Sequence, residues 1–501
     1  MFGTTMQDEG WTLADARHLL DRACFGGTPA MIQRLHILGP EGAVDELLGH
    51  SSGFGNGATS NPKSYSALAH RRLARAAEGN LQSDDARKSL KKMTSKNDRK
   101  QADTYREFWL SQMAQGVHPV GEKMALFWHG HFTSSIRDVK DSYAMVQQIE
   151  MYREKGLGSF SSLLHDITLD PAMLAYLNND KNKKKAPNEN YAREVMELFT
   201  LGTGNYTEQD VVEAARAFTG WRTNKETGVA RFAKRRHDPS TKTVLGRTGN
   251  LGASDVLDIL LEQPATAPFL VRKFLNFYAT PEPDEAWVAE LSTSFRDSGY
   301  AIRPLLRKIF LSPAFYARNT RAALFKSPVD FLVSTLRRLE IPPPPGRFMA
   351  SACDLLGQKL LEPPNVKGWE GGEAWISSST IMLRANVAWM LMGGIDKQWL
   401  RSDEGRALRK FIPQDARELR HWIAAPDPVL LTEGAPDPET AIDAVCNRLL
   451  PVAPSSTTRN RLCEYIAPFG PDAYRITEPQ TARLVLDAVH MTLSLPEYQL
   501  T

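Results

Sequence analysis

The sequence predicts a mainly α protein: a large multi-helix body with a few short strands or hairpins in its loops. Three observations carry this expectation. Apolar residues recur at three- and four-residue spacing through most of the chain. β-Branched residues alternate with turn formers mainly around "GVARFAKRRHDPSTKTVLG". No period of about 20 to 50 residues repeats, which argues against a solenoid. With 501 residues, 42% hydrophobic and 24% charged, the chain has the composition of a globular protein able to bury a large core.

Taken in order, "TLADARHLLDRACFG" sets Leu13, Ala16, Leu19, Leu20 and Ala23 on one side behind a Thr12 cap, and stops at Gly26. "TPAMIQRLHILG" and "GPEGAVDELLGH" repeat the pattern, and the Gly/Ser/Asn stretch "HSSGFGNGATSNPKS" reads as a loop. Residues 82–103 are densely charged and read as a solvated helix or mobile arm inserted into the body. From Tyr105 to Trp221 long helices follow one another, the last opening with Thr207 and Asp210 at capping-box spacing and ending at Gly220. Helices resume through "DVLDILLEQPATAPFLVRKFLNFYA" and "IRPLLRKIFLSPAF". A stiff "IPPPPG" turn then precedes the loop "LEPPNVKGWEGGEAWISSSTIMLRAN". Residues 1–400 are read as the core and 401–501 as a helical extension packed on it.

A formal net charge of +3 is too small for a dedicated nucleic-acid binder, so nucleic acid is an unfavoured partner. Cys24, Cys353, Cys446 and Cys463 show no zinc-ligand spacing and read as reduced cysteines, although Cys446 and Cys463 are near enough in sequence to bridge. No stretch approaches about 18 apolar residues, and "MFGTTMQDEGWTLADARHLL" lacks a basic segment followed by an apolar one. The expectation is a cytoplasmic protein without a membrane span, with export alongside a partner as the alternative.

Four stretches carry candidate chemistry. In "NENYAREVMELFTLG" a helical projection orders Glu189, Arg193, Glu197, Asn190 and Glu194 along one polar arc, opposite Tyr191, Val195 and Phe199. Spacing alone favours a solvated face with an Arg193–Glu197 ion pair. In "FWHGHF", His129 and His131 point the same way off a helix but diverge by about 200° on one; the bland reading is one buried and one exposed imidazole. In "KRRHDPSTKT", His237, Asp238 and Lys242 sit among cations that favour an anionic ligand, against an exposed basic hairpin. In "PPNVKGWEGGEAWISSSTIMLRAN", Trp369 with Asn365, Lys367 and Arg384 suits stacking plus directed hydrogen bonds to a sugar-like ring, against indoles that plug the core. "NNDKNKKKAPNE" fails as a calcium loop, because lysine replaces the required glycine and the run is cationic. Walker, dinucleotide, His-Glu-x-x-His and Gly-x-Ser-x-Gly motifs are absent from the sequence.

These motifs in this order resemble a bacterial family known as domain of unknown function 1800. The matching stretches are "DRACFGGTP", "EKMALFWHGHFTSS", "NENYAREVMELFTLGTGNYTEQDVVEAARAFTGW", "HDPSTKTVLG" and "LGQKLLEPPNVKGWEGGEAWISSSTIMLR", spanning about residues 13 to 395. Relatives often carry Asn at Gly130 and His at Phe199, and the second departure weakens any shared metal site. The resemblance implies a mainly helical fold, an association with exported bacterial proteins and a sulfatase-like neighbour as a partner. It implies no reaction or cofactor.

Three functional readings stay open. The leading one is a hydrolase acting on a polar substrate such as a glycan. Glu194 or Glu197 is its acid or base and His131 the partner; Asn190, Arg193, His237, Asp238, Lys242, Asn365, Lys367, Trp369 and Arg384 hold the substrate. The second makes Glu194, Glu197, His131 and His237 ligands of a divalent metal. The third is a non-catalytic assembly partner or anionic-polymer binder, motivated by basic runs at 87–100, 181–185 and 234–236.

Overall fold

The computed structural model describes residues 10–49, 83–224, 227–393, 401 and 426–501. The expected loop at 50–64 and residues 402–425 of the C-terminal extension lie outside the described residues. The protein is mainly α: the described residues are 65% helical, with two antiparallel two-stranded sheets among them.

Helix α1 (Leu13–Ala23) begins where the sequence places it, since Thr12 and Asp15 form a reciprocal capping box that satisfies otherwise orphaned amides. α2 (Pro29–Gly49) contains both segments read separately in the sequence, joined through Gly39, whose φ of 71° breaks the helical path ahead of Pro40. The charged arm is the exposed first half of one long helix, α3 (Asp84–Gln115), which enters the core at Ala102 and Tyr105 and ends in a left-handed Gly116.

α4 (Pro119–His131) is buried along nearly its whole length. Packed near it are α5 (Ser142–Lys155), α6 (Phe160–Thr168) and α7 (Asn190–Glu194), which runs on as a π-helical turn over Val195–Thr200. α8 (Glu208–Ala217) opens on the expected Thr207–Asp210 capping box. Two hairpins follow: β1 (Trp221–Thr223) with β2 (Ala230–Phe232), and β3 (Lys242–Val244) with β4 (Arg247–Gly249).

The chain then returns to helices α9 (Ala253–Glu262), α10 (Thr266–Tyr278), α11 (Glu285–Asp297), α12 (Ile302–Leu311), α13 (Pro328–Leu339), α14 (Gly346–Leu355) and α15 (Ser378–Leu391). Finally come α16 (Pro438–Leu449), α17 (Ser456–Ile466) and α18 (Pro479–Leu493). One continuous apolar cluster runs from Ala16 through Phe127 and Leu332 to Val485 and Tyr498, so the last helices share the core of the first. Polar bonds cross the same seam: Arg17 donates to the Leu450 carbonyl at 2.8 Å, and Lys326 to that of Tyr498 at 2.7 Å. All four cysteines are free thiols, and Cys446 and Cys463 are not bridged.

The core also holds charge. Arg338 donates to Asp21 at 2.6 Å and to the Leu449 carbonyl, and both side chains are buried. Arg22 is held between the carbonyls of Ala279 and Thr320. Removing one member of such a pair strands the other charge in a medium that cannot solvate it. Arg338→Met is therefore expected to cost about 3–5 kcal/mol in denaturant unfolding, and Asp21→Asn in the same chain to recover part of the loss.

Candidate active site

The site is built outward from α4. Because residues 119–131 are helical, His129 and His131 diverge and do not form a shared ligand pair. His129 accepts from the Leu361 amide at Nε2, 3.0 Å, and the Trp369 ring meets it edge-on with centroids 5.3 Å apart. His131 donates from Nε2 to the Phe199 carbonyl at 3.2 Å among Phe127, Phe132 and Phe269. Burial pushes both imidazoles down to about 3, so both are neutral near pH 7. His131 is thus a weak proton acceptor; its Nδ1 is buried without a hydrogen-bond partner among the described residues.

The helix read as a single α segment changes register midway. The Leu201 amide bonds the Met196 carbonyl at 2.8 Å, five residues back, and Thr200 Oγ1 donates to Val195. The widened turn redirects Glu197, and the expected Arg193–Glu197 pair does not form. Arg193 instead grips Glu208 with two bonds of 2.7 Å and reaches Glu189 at 3.2 Å, while Glu197 accepts from the Tyr206 hydroxyl at 2.8 Å. Burial first, and then the Glu197 carboxylate, raise the pKa of Glu194 above its ordinary value; Arg193 and Lys367 pull the other way.

Lys367 belongs to the Pro/Gly-rich loop, which is fastened to α4 at two points. Leu361, at a left-handed φ of 62°, gives its amide to His129 and its carbonyl to Ile136. Gly368, at φ 83°, lies so close to Gly130 that a Cβ there would sit 2.4 Å from the Gly130 carbonyl oxygen. Asn365 accepts from the Lys367 amide at 2.8 Å, which shapes the turn. This fastening holds Trp369 over a cavity of about 390 Å³ between α4, α10 and the segment leading into α13.

Phe127, Phe277 and Trp375 give the cavity apolar walls; Asn276 and Gln358 give neutral polar ones. Its cations are Arg22, Lys123, Lys273 and Lys367. Lys123 bonds Asp330 and lies over the Phe25 and Phe277 rings at 4.9 and 5.4 Å. Lys273 stacks 5.5 Å from the Phe269 centroid, and no carboxylate among the described residues bonds it. Lys123, Lys273, Asn276 and Asp330 escaped the sequence reading. Lys123 stands there beside Glu122 in "EKMALFWHGHF", two charges opening a stretch rich in large apolar residues.

The other candidates lie elsewhere. Asn190 is exposed at the start of α7. His237 bonds the Thr219 carbonyl at 3.0 Å, and buried Lys242 donates to that of Ser240 at 2.9 Å. Burial opposes ionisation of Asp238, but Arg216 and the Ser240 amide hold its carboxyl well below the ordinary range. These three form a closed network on α8 rather than part of the cavity. Arg384 is a core residue, bonded to the Lys326 carbonyl at 2.8 Å and to Gln499 at 3.2 Å, over the Phe331 ring. Among the described residues no three His, Cys, Asp or Glu side chains cluster as a metal site, so Glu194, Glu197, His131 and His237 do not converge as ligands.

The imidazoles make stability depend on pH. Their folded pKa values lie below the ordinary value of about 6.5, so between that value and about 3 the unfolded chain binds more protons. Stability is present above the window and is lost as pH falls through it. The thermal midpoint should drop from pH about 6.5 to about 4, and His131→Gln, which cannot titrate, should flatten part of that slope.

No curated protein and no solved structure matches this chain. A family model described as "Protein of unknown function (DUF1800)" matches residues 18–500, taking in the C-terminal helices that the motif resemblance left out. That match, over nearly the whole chain and all the motifs fastened around α4, makes the chain a member of the DUF1800 family.

Proposed function

We propose that the protein is a hydrolase for a polar, anionic substrate such as a glycan unit, held in the cavity beneath Trp369, with Glu194 as its acid. The observation that carries the reading is the position of Lys367, which lines the cavity and is near enough to Glu194 to act on its ionisation. Glu194 and Glu197 do not themselves line the cavity; Lys367 is the residue that links them to it. Trp369 offers a ring face, Lys273 and Lys367 attract anionic groups, and Asn276 and Gln358 offer directed hydrogen bonds. Burial, and then the Glu197 carboxylate held by Tyr206, raise the Glu194 pKa, which favours its acid form as proton donor to the leaving oxygen as water adds across the broken bond.

His131 does not fit the role of partner base, because its pKa lies far below neutral. That observation favours a second reading, ligand binding without turnover. The metal-dependent alternative draws no support from the residue placement. The two remaining readings separate in one experiment. With an oligosaccharide substrate, Glu194→Gln should lower kcat by about 100-fold or more with KM little changed, and Lys367→Ala should raise KM. Binding that is sensitive to Lys367→Ala, with no hydrolysis by the parent across neutral and acidic glycans, would establish the non-catalytic reading.

A further inference from the structure

Two of the basic runs meet in space, and none of their residues lines the cavity. Residues 181–185 form a tight turn in which the Ala186 amide bonds the Lys183 carbonyl at 2.8 Å. The Lys184 amide bonds the Arg236 carbonyl at 2.8 Å, and Arg236 returns a guanidinium bond to the Lys181 carbonyl at 3.1 Å. Behind the turn, buried Asn182 fixes the backbone by donating to the Ala215 carbonyl at 2.8 Å and accepting from the Asn188 amide at 2.9 Å. The β1–β2 hairpin joins the same patch, because the Gly220 amide bonds the Asn182 carbonyl and the Ala233 amide bonds that of Gly220.

The patch carries more cations than Asp180, set among them, can offset. Lys183, Lys184 and Lys185 are exposed, as are Lys234 and Arg235, and none has an ion pair among the described residues. In the hairpin Arg222 lies directly opposite Arg231, an arrangement of like charges that destabilises a two-stranded ribbon. Asp180, near Arg222, Arg236 and Lys181, is half-buried, and one of its oxygens is enclosed without a hydrogen-bond partner. A rigid surface that holds cations together at an internal cost is preorganised for an anionic chain, which would relieve the repulsion it meets.

We propose that the face formed by residues 181–185, Arg222, Arg231 and the 234–236 turn binds an acidic polysaccharide. Nucleic acid is the less suitable polyanion. Strand binders interleave cations with successive aromatic platforms, and here the exposed ring is Phe232, paired with Trp221 on the ribbon face opposite the two arginines. The inference stands apart from the hydrolase reading, since none of these residues lines the cavity.

The test is equilibrium binding of the full chain to polygalacturonate and to heparin, with single-stranded oligothymidylate as a third probe. Affinity for at least one polysaccharide should fall by about tenfold or more between about 50 and about 200 mM salt. Arg222→Gln/Arg231→Gln and Lys183→Gln/Lys184→Gln/Lys185→Gln should each weaken it by about tenfold, with the thermal midpoint unchanged or raised. Trp369→Ala, which alters the cavity, should leave it intact, so failure here and failure of the hydrolase reading are separable. Absence of binding to either polysaccharide at the lower salt, equal affinity in both charge variants, or tighter binding of oligothymidylate would overturn the proposal.

Discussion

The polar groups of α4 constrain the rest of the molecule. A helix buried on nearly every side carries Glu122, Lys123, His129 and His131, and each must find a partner inside the protein or cost more than it contributes. Each finds it on different elements. Glu122 accepts from Trp109 of α3 at 2.7 Å and from Arg153 of α5 at 3.0 Å. Lys123 takes Asp330 at the start of α13, His129 takes the Leu361 amide, and His131 takes the Phe199 carbonyl in the π-helical turn. Apolar packing would tolerate small slides of these elements. Directed bonds to five fixed points do not.

The cavity follows from that constraint. Fastening the Pro/Gly loop at Leu361 and again at Gly368 leaves Trp369 standing off α4, and the space beneath it is closed by α10 and by the approach to α13. The π-helical turn serves the same end from the other side. Phe199 stands in the last turn of the helix, where carbonyls have no intrahelical amide, and its oxygen is taken by His131, while the expanded turn pairs Met196 with Leu201. Glu197, bonded to Tyr206 and not to Arg193, adds to burial in raising the pKa of Glu194.

Much of this was legible in the sequence. Helical class, the caps at Thr12 and Thr207, the hairpin region and the 200° divergence of His129 and His131 all follow from residue spacing. So did the separate motifs whose contacts now join them, Gly130 with Gly368 and His131 with Phe199. Other parts were hidden for physical reasons. α- and π-turns share residue preferences, so nothing in "VMELFT" betrays the change of register. Lys273 and Asp330 have the look of surface charges until tertiary packing sets them beside a cavity. Arg384, read as a substrate-binding group, is held in the core by the Lys326 carbonyl and the Gln499 side chain, and the His237–Asp238–Lys242 cluster closes on itself through Arg216 and Ser240.

Two cationic regions result, and they differ in kind. In the cavity the cations are interleaved with rings and carbonyls: Lys123 has Asp330 and two aromatic faces, and Arg22 has two carbonyls. Such a site is selective by shape and hydrogen bonding, and much of its electrostatic force is already spent within the protein. On the outer face the lysines and arginines meet water and one another, so their attraction is long in range, weak in geometry and sensitive to salt. A small polar group suits the first environment and an extended anionic chain the second.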